Sequence, residues 1–542
     1  MECKGIFSFL KKHAVWIASA FLFFVGTLVL TRFAHLFISP DETANAFFAQ
    51  SFAHNGSFRV LDAMNQLYGG VLHPRSIVTD GAFLLPGSFF GLTFLYGCFS
   101  KLIGSWSLTF ITPTLVVLAS LAWNQILQRW FSKRIAFLSS LLFLFHPAIW
   151  YYSARGLMPN VLFVCCVVFS ICFFLKMCSS STHAQTPLLH KEGMGVVAGF
   201  FLGLALFVRL SEAYWLLPLF AVLLFAERKS LSFRRCVFGA IGFILPMCLL
   251  LFLNFKTYGS PFVFGYSFVS HVTSPLPRGE LEGGLVSSEE KLSWLLPFGF
   301  HPRGIFWHTL DYLLLLFWWL TIPALCALPL VFRESKQKMY TIVTMVVALW
   351  LCIWYGSWLL HDNPDPTQIT IANSYVRYWL PIFVMSTPLI AMSLQWVANR
   401  TRSKKHALHV LVSLMLLVLA LNVRIVFLEG QDALVHVVSI LQQSEQIRDQ
   451  VFKIVPENGV IITDRSDKIF FPGRHVMVPL RSEQTYAAIP KMIDRTPVYY
   501  YGITLPATDL DFLNQQTFAP VGLHIVFIQS FGVESLYSIQ RP

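Results

Sequence analysis

Charged residues are scarce in this chain. Only 13% of its 542 residues are Asp, Glu, Lys or Arg, whereas 55% are hydrophobic and 52 are Phe. A soluble domain carries about 25% charged residues, so this chain lacks the charge that would cover a globular surface in water. The same numbers exclude disordered, collagen-like and coiled-coil proteins. The composition is that of a polytopic membrane protein, and at about 20 apolar residues per helix roughly ten to thirteen spans fit.

Cysteine motifs and nucleotide-binding motifs are also missing. Nine of the ten cysteines lie in or beside apolar runs, and no CxxC or Cys/His cluster with metal-binding spacing occurs. The tail contains neither GxGxxG nor GxxxxGK[ST]. These absences argue against disulfides, structural zinc and a nucleotide site. The sequence shows no required cofactor, and it does not decide whether a divalent metal ion is needed. His361, Asp362 and Asp365 indicate either a solvated loop or a metal site.

The net charge of +12 is unevenly distributed. From Glu429 onward, nine Lys/Arg face twelve Asp/Glu, so the preceding part carries the positive excess. Its basic residues stand in short clusters between apolar runs, as the positive-inside rule expects. We therefore interpret the basic clusters as topology signals and expect no nucleic-acid partner.

The apolar runs predict the topology. They lie near 14–33, 81–101, 107–128, 135–152, 160–176, 194–208, 212–226, 236–254, 309–332, 339–358, 378–397 and 407–428. With the basic clusters and the N-terminus in the cytoplasm, the loops 33–80, 255–308 and 359–377 and the tail face outside. One conflict remains, because two runs separate the loop 33–80 from the basic cluster at 129–134, where parity requires an odd number. Either the run 81–101 is re-entrant or interfacial, or a crossing is missed or merged.

The tail after residue 428 changes character. A helical stretch over 431–453 leads to a turn at 456–459, and short apolar strands are predicted at 460–463, 476–479 and 498–501. This pattern is typical of a small α/β domain. We expect a mainly α fold, with a membrane domain over 1–428 and a soluble extracytoplasmic domain over 429–542.

The sharpest chemical signal is Pro40-Asp41-Glu42, just beyond the outer end of the first apolar run. Two carboxylates beside the hydrocarbon boundary are costly unless they are solvated, paired or used. They fit the start of a helix over 42–52, lying on the membrane surface, in which Asp41 is the N-cap and Glu42 complements the helix dipole. They equally fit a catalytic acid pair.

The segment PDETANAFFAQSF after a first helix resembles the start of the GT-C membrane glycosyltransferases. It is most similar to the bacterial protein O-mannosyltransferase and lipid A aminoarabinose transferase group. Further segments that resemble this group are YGSP (258–261), FGY (264–266), FHPRG (300–304) and RYWLP (377–381). The resemblance covers roughly residues 10–430 and implies a GT-C-like fold of about 11–13 spans.

The resemblance implies transfer of a hexosyl or mannosyl group from a polyprenyl-phosphate donor to an extracytoplasmic acceptor, which is a protein, a lipid or a cell-envelope glycan. A base deprotonates the acceptor hydroxyl, and cationic groups stabilise the departing phosphate. Asp41 is the candidate base and Glu42 shapes the site. The candidate substrate- and phosphate-binding residues are His73, Arg75, Arg155, Asn160, Arg303, Arg377 and Tyr378. Each interfacial Arg also fits a contact with a lipid headgroup.

Two positions depart from the group. Asn160 stands where a second Asp is expected, and its amide suits positioning of the acceptor or sugar rather than proton transfer. Ala44 stands where the aminoarabinose enzymes carry Arg, which argues against that donor. A lipid-linked-substrate flippase and a non-catalytic relative remain alternatives, although the apolar runs hold few mid-span charges and show no inverted repeat. The expected location is the bacterial inner membrane.

Overall fold

The computed structural model describes residues 2–33, 35–178, 188–272, 296–332, 334–359, 368–401 and 403–542. The chain forms two compact units, each built from three separate segments. The membrane unit comprises Met1–Leu30, Thr109–Leu250 and Pro275–His436. The mixed unit comprises Thr31–Leu108, Leu251–Ser274 and Val437–Pro542. The first loop and the tail therefore belong to the same unit.

Long apolar helices dominate the described residues, which confirms the predicted multi-pass helical class. Seven are long and apolar enough to cross a bilayer: Ser105–Leu127, Pro159–Cys178, Lys191–Val208, Phe233–Tyr258, Ser335–Gly356, Leu380–Ala398 and Lys404–Leu428. Two further helix pairs are bent, namely Lys133–Phe145 with Pro147–Ala154 (44°) and Pro302–Leu315 with Trp318–Val331 (95°). The first bend occurs at His146 because Pro147 disfavours helical backbone at the residue before it. Shorter apolar helices are Ala14–Val29, Phe90–Ile103 and Leu210–Ala226; the total of 11–13 spans stays a prediction.

The run 81–101 is divided between two elements rather than forming one long helix. Residues Phe83–Pro86 form a strand, and Phe90–Ile103 form a helix of 14 residues. Such a helix is about 21 Å long at 1.5 Å per residue, which is too short for a hydrocarbon core of about 30 Å. The length favours the re-entrant or interfacial alternative, and one crossing then remains before the basic cluster at 129–134.

Glycines bring two helices of the membrane unit into close contact. A Cβ on Gly199 would lie 1.9 Å from the Gly239 carbonyl oxygen, and one on Gly242 would lie 2.0 Å from the Val196 oxygen. The helices Leu188–Val208 and Phe233–Tyr258 therefore touch backbone to backbone. Small residues are the usual means of such packing in membranes, where lipid supplies no hydrophobic drive between helices.

The mixed unit begins with the helix Pro40–Asn55, which ends at Gly56 in the left-handed conformation. The sequence predicted this helix and its end, but not its burial. Residues Glu42 to Ala46, Phe48 and Ala49 are buried, so the helix has packing partners on most faces instead of one lipid-facing stripe. It packs on Phe90–Ile103, where a Cβ on Gly97 would lie 2.9 Å from the Ala49 oxygen.

Two sheets complete the mixed unit. A three-stranded antiparallel sheet has the order β1 (Val60–Leu61), β3 (Phe83–Pro86), β2 (Ile77–Thr79). The tail forms a five-stranded sheet in the order β5 (His475–Met477), β4 (Val460–Thr463), β6 (Val498–Ile503), β8 (Glu534–Gln540), β7 (His524–Phe531). Strands β4, β5 and β6 are mutually parallel, and β8 pairs antiparallel with β6 and β7. The three predicted strands are confirmed within one or two residues, whereas β7 and β8 were not predicted.

Helices flank the tail sheet, and the first loop enters its core. The tail helices are Leu434–Ile454, Asp467–Phe470, Glu483–Met492 and Ala507–Phe512, and the first loop adds Ala63–Leu67. Leu72 of the first loop lies in one hydrophobic cluster with Val460, Ile462 and Ile489 of the tail. The tail and the first loop thus share a core.

Candidate active site

The two carboxylates at the start of the Pro40–Asn55 helix have different surroundings. Ser39 is the N-cap, and Glu42 forms a capping box with it: Ser39 Oγ accepts the Glu42 N–H at 3.3 Å, and Glu42 Oε2 accepts the Ser39 N–H at 3.1 Å. Glu42 is 3% exposed. The cap that the sequence analysis considered for Asp41 is therefore made by Ser39, and Glu42 has a defined structural task.

Asp41 is half-buried and contacts the loop that follows the helix. Its Oδ1 accepts a hydrogen bond of 2.6 Å from Ser76 Oγ. Ser76 has φ +64°, a left-handed conformation that is uncommon for residues other than Gly, Asn or Asp. A carboxylate held by a hydroxyl at a helix N-terminus is oriented for use as a proton acceptor, and the helix cap does not depend on it.

His73 and Arg75, two of the predicted phosphate ligands, lie in the same loop. Arg75 Nε donates to Asp467 Oδ1 at 3.0 Å, and Arg75 Nη2 donates to the Arg465 carbonyl oxygen at 2.6 Å. Burial lowers the pKa of His73, against the opposing effect of its hydrogen bond to Pro74 and of the Asp467 charge. A neutral imidazole and a guanidinium bound to a buried carboxylate favour a structural task for this pair. Their phosphate role stays a prediction.

The YGSP and FGY segments pack against the end of β3. Tyr258 Oη donates to the Pro86 carbonyl oxygen at 2.6 Å. A Cβ on Gly265 would lie 2.5 Å from the same oxygen, so only glycine permits this approach. Arg59 Nη1 adds a hydrogen bond to the Thr257 oxygen at 2.7 Å. Both segments thus contact β3, the strand that follows the loop of Ser76.

Several predicted ligands meet within the membrane unit. Arg155 and Asn160 flank the turn before the helix Pro159–Cys178, and both are buried, at 5% and 3% exposure. Arg377 belongs to the short helix Ser374–Tyr378 and donates from Nη1 to the Met158 sulfur at 3.2 Å. Met158 lies within that turn, so the structure brings Arg377 to the segment of Arg155 and Asn160.

Tyr378 stands on a buried ionic cluster. Its ring stacks on Tyr355 at 4.5 Å and lies 5.0 Å from the Arg209 guanidinium carbon. Arg209 and Glu212 form an ion pair at 2.8 Å, and Glu212 also accepts hydrogen bonds from Tyr355 Oη at 2.5 Å and Trp215 Nε1 at 2.6 Å. We call Arg209, Glu212, Tyr355 and Tyr378 the Glu212 cluster.

Arg303 has a different position. It is exposed in the first turn of the helix Pro302–Thr309. His308 at the end of this helix stacks on Tyr375, with ring centroids 4.2 Å apart. His308 Nε2 and the Tyr375 hydroxyl oxygen also share a hydrogen bond of 3.2 Å. The helix of Arg303 therefore contacts the helix of Arg377, but Arg303 itself is exposed and not part of the buried cluster.

An apolar groove opens between helices of the membrane unit. It is lined by aromatic and aliphatic side chains, including Trp123, Trp130, Phe163, Trp215, Tyr340 and Pro381. Trp215 belongs both to this lining and to the contacts of Glu212. Among the residues with described positions, no group of three His, Cys, Asp or Glu is arranged for a metal ion. The alternative at His361, Asp362 and Asp365 lies outside the described residues.

Sequence reasoning missed Glu212, Ser76 and Asp467. Glu212 carried a usable signal, since it is the sole acidic residue between Glu192 and Glu227 and follows Arg209 by three positions. An acid and a base so spaced between two apolar runs predict a pair at a helix junction. Ser76 and Asp467 carried no such signal, because they lie hundreds of residues apart and look like ordinary loop residues.

Comparisons with known proteins agree on one fold. Residues 86–252, under a third of the chain, match a family model described as dolichyl-phosphate-mannose-protein mannosyltransferase. Among solved structures, the chain is similar to apo ArnT from Cupriavidus metallidurans, with 11% identity, 98% of each chain covered and a TM-score of 0.57. The same protein bound to undecaprenyl phosphate gives 13% identity, 98% coverage of each chain and a TM-score of 0.53.

A second similar structure is the archaeal oligosaccharyltransferase AglB from Archaeoglobus fulgidus, in complex with an inhibitory peptide and a dolichol-phosphate. It shows 12% identity and a TM-score of 0.51 over 91% of this chain and 70% of that one. No curated protein matches by sequence. The fold is therefore that of the GT-C glycosyltransferases, and the resemblance and enzyme class predicted from the sequence are confirmed by this fold together with the family match.

Proposed function

We propose that this chain transfers one sugar from a polyprenyl-phosphate carrier to an acceptor hydroxyl at the outer face of the membrane. Asp41 takes the acceptor's proton while the acceptor oxygen forms a bond to the anomeric carbon of the sugar. The bond between that carbon and the phosphate oxygen breaks, and polyprenyl phosphate leaves with the electron pair. A positioned base of this kind contributes about 10²- to 10⁴-fold to the rate.

The observation that carries the proposal is the division of tasks between Asp41 and Glu42. Ser39 and Glu42 form the capping box at the helix start, and the Asp41 side chain is not part of it. Instead, Asp41 is held by Ser76 Oγ at 2.6 Å.

Phosphate binding belongs to the membrane unit in this proposal. Arg377 supplies a guanidinium, whose planar shape suits phosphate oxygens. Tyr378 supplies a ring that stacks on Tyr355 within the Glu212 cluster. Arg155 adds a second buried cation, and the Asn160 amide positions the acceptor or the sugar. The apolar groove suits the carrier's lipid tail, because its lining is aromatic and aliphatic.

One residue limits the choice of donor sugar, whereas the class of acceptor stays open. Ala44 stands where the aminoarabinose enzymes carry Arg, which argues for another sugar. The acceptor is a protein, a lipid or an envelope glycan. Among the similar solved structures, ArnT has been seen with the carrier undecaprenyl phosphate, and the Archaeoglobus fulgidus oligosaccharyltransferase with an acceptor peptide. The proposed location is the inner membrane of a bacterium, with the tail outside the cytoplasm.

The test is a transfer assay on the full chain in liposomes. The probes are undecaprenyl-phosphate [³H]mannose and the corresponding glucose, galactose and aminoarabinose donors, with an envelope fraction from cells that lack the protein as acceptor. We expect label from one of the first three to move into acceptor product, with release of undecaprenyl phosphate. Liposomes carrying Asp41→Asn are the control.

The same assay separates the alternatives. A flippase would expose labelled donor in the opposite leaflet without forming product. A non-catalytic relative would do neither, and the absence of product with every donor and with complete envelope acceptor would contradict the proposed transfer.

A further inference from the structure

A short segment of the tail contacts the helix that carries the proposed base and the residues just before it. The Arg465–Phe471 segment follows β4 and includes the helix Asp467–Phe470. Lys468 Nζ donates to the Ile38 carbonyl oxygen, one residue before the N-cap of the Asp41 helix. The Phe471 ring packs edge-to-face on Phe47 of the same helix, with centroids 4.9 Å apart. All of these residues belong to the mixed unit.

Asp467 makes the central contact of this segment. Its side chain is fully buried. The carboxylate accepts the backbone N–H of Arg75 at 2.8 Å and, on its other oxygen, the Arg75 guanidinium at 2.5 and 3.0 Å. Asp467 therefore fixes both the main chain and the side chain of Arg75. Hydrogen bonds between a guanidinium and a carboxylate are charge-assisted, which makes them stronger than hydrogen bonds between neutral groups.

The residue after Arg75 is Ser76, whose backbone is forced into an unfavourable conformation. At φ +64° it is the sole residue other than glycine with positive φ in the described parts of the chain. Its carbonyl oxygen accepts the Gly87 N–H at 3.2 Å, and a Cβ on Gly87 would lie 2.7 Å from that oxygen. Backbone strain of this kind persists only where the surrounding contacts impose it. Ser76 lies between two such contacts: Asp467 binds the N–H of the preceding residue, Arg75, and the Gly87 N–H binds the Ser76 carbonyl oxygen.

The conformation of Ser76 aims its hydroxyl at Asp41. Ser76 Oγ donates to Asp41 Oδ1 at 2.6 Å. An unbroken series of contacts thus runs from the buried Asp467 through the Arg75 main chain to Ser76 and on to the carboxylate that the proposed reaction uses.

We infer that Asp467 is a positioning residue for the base: through Arg75 and Ser76, the tail fixes the direction in which Asp41 presents its carboxylate. This inference rests on the proposed function, and it goes further, because it gives the tail a part in the chemistry. Misplacing a reacting group by about 1 Å costs on the order of 10²-fold in rate. The Asp467–Arg75 contact thus acts on turnover and not on donor affinity.

The chain offers a matched control for a simple brace. Asp62 of the first loop pairs with His475 of β5 at 3.2 Å, so it also joins the loop to the tail. Asp62 caps a different helix, Ala63–Leu67, where its Oδ1 accepts the Asn65 N–H at 2.9 Å. Asn retains such a cap. Asp62→Asn therefore weakens a loop–tail contact that does not lead to Asp41.

The experiment compares Asp467→Asn, Ser76→Gly, their double variant and Asp62→Asn, each as the full chain in liposomes. The donor is the undecaprenyl-phosphate sugar that the wild type uses best. We expect kcat to fall about 10- to 100-fold for Ser76→Gly and about tenfold for Asp467→Asn, with donor KM within about twofold. The double variant should match Ser76→Gly alone, since residues acting through one contact are not additive. Asp62→Asn should stay within about twofold of wild type.

Each outcome decides the inference. Equal activity of Asp467→Asn and Asp62→Asn, or multiplied losses in the double variant, would overturn it. If Asp467→Asn does not accumulate, Ser76→Gly decides alone, because glycine adopts φ +64° without strain and the loop keeps its shape; normal kcat would then refute the inference. Asp41→Asn separates the two proposals. Full turnover of that variant would refute the proposal that Asp41 is the base. An inactive Asp41→Asn together with a fully active Ser76→Gly would refute only the positioning inference.

Discussion

Asp41 and Glu42 are adjacent carboxylates with opposite requirements. Asp41→Asn leaves the capping box of Ser39 and Glu42 intact, so we expect normal expression and membrane insertion. An amide does not accept the acceptor's proton, and transfer should fall about 10²-fold or more. The measurement is initial rate in liposomes, normalised to folded protein. Near-normal turnover would mean that the carboxylate serves only local structure.

For Glu42 we expect the opposite: the amide variant should remain active. Gln also completes a capping box, so Glu42→Gln should retain most activity and stability. Glu42→Ala removes the box and should destabilise the protein by about 1 kcal/mol. Thermal unfolding of the purified variants in detergent checks the order, and equal losses for Gln and Ala would point to a need for the charge itself.

Arg377 is the residue on which the phosphate assignment rests. Loss of one charge-assisted contact costs about 1.5–3 kcal/mol, or roughly ten- to over a hundredfold in binding. We expect Arg377→Ala to raise the donor KM by that factor and to leave acceptor KM nearly unchanged. Arg75→Ala is the comparison, because Arg75 is bound to Asp467: a fall in kcat with unchanged donor KM would support the positioning role, and a rise in donor KM would support the phosphate role predicted from the sequence. A normal donor KM for Arg377→Ala would exclude this assignment.

At the scale of elements, the Glu212 cluster joins a helix junction to the short helix of Arg377. Removing one member of a buried ion pair costs about 3–5 kcal/mol, whereas replacing both by apolar residues is often neutral. Glu212→Leu should therefore lower the melting temperature sharply, and the double variant Arg209→Met/Glu212→Leu should recover most of it. If the double variant is stable yet raises donor KM, the cluster also serves the substrate. An unchanged melting temperature for Glu212→Leu alone would contradict the pairing.

The contact between the Ala63–Leu67 helix and β5 predicts a pH effect on stability. Burial acts to raise the pKa of Asp62. Hydrogen bonds from His475 and from the Asn65 N–H outweigh this effect and hold the pKa of Asp62 below its usual range. A carboxyl whose pKa is lowered by folding stabilises the protein above its unfolded value, about 3.9, and this contribution is lost as pH falls through the folded value. The difference in melting temperature between wild type and Asp62→Asn should be smaller at about pH 3 than at about pH 5, because the ionised form of Asp62 is lost over this range. A constant difference down to pH 3 would refute it.

Elements were predictable from the sequence where the pattern is local. The Pro40–Asn55 helix was predicted from its acidic first turn and from Gly56 at its end, although its N-cap is Ser39 and not Asp41, and β4 was predicted from Val460, Ile461 and Ile462. The run 81–101 was misleading, because composition alone does not distinguish a 14-residue helix and a buried strand from one span. The Ser76–Asp41 contact was not predictable for another reason: it accompanies a left-handed backbone at Ser76, next to Arg75, whose main chain binds Asp467 from 392 positions away in sequence.

At the scale of the molecule, the mixed unit constrains the topology. The Arg75–Asp467 contact requires the first loop and the tail to lie on one side of the membrane. We expect single cysteines at Asp80 and at Asp494, in a background without native cysteines, to be labelled from the same side by an impermeant reagent. A cysteine in the basic segment 228–230 should be labelled from the other side. Labelling of all three from one side would contradict the assigned topology.

The shared core of the first loop and the tail also has a consequence for synthesis. Asp41 and Arg75 leave the ribosome early, but Asp467 follows 392 residues after Arg75. At about 5–20 residues per second, that interval lasts about 20 to 80 s. Throughout it the nascent chain already displays the carboxylate and has no means of aiming it. On the positioning inferred above, the segment that directs Asp41 is among the last parts of the chain to be made, so a chain whose synthesis stops before the tail lacks that positioning.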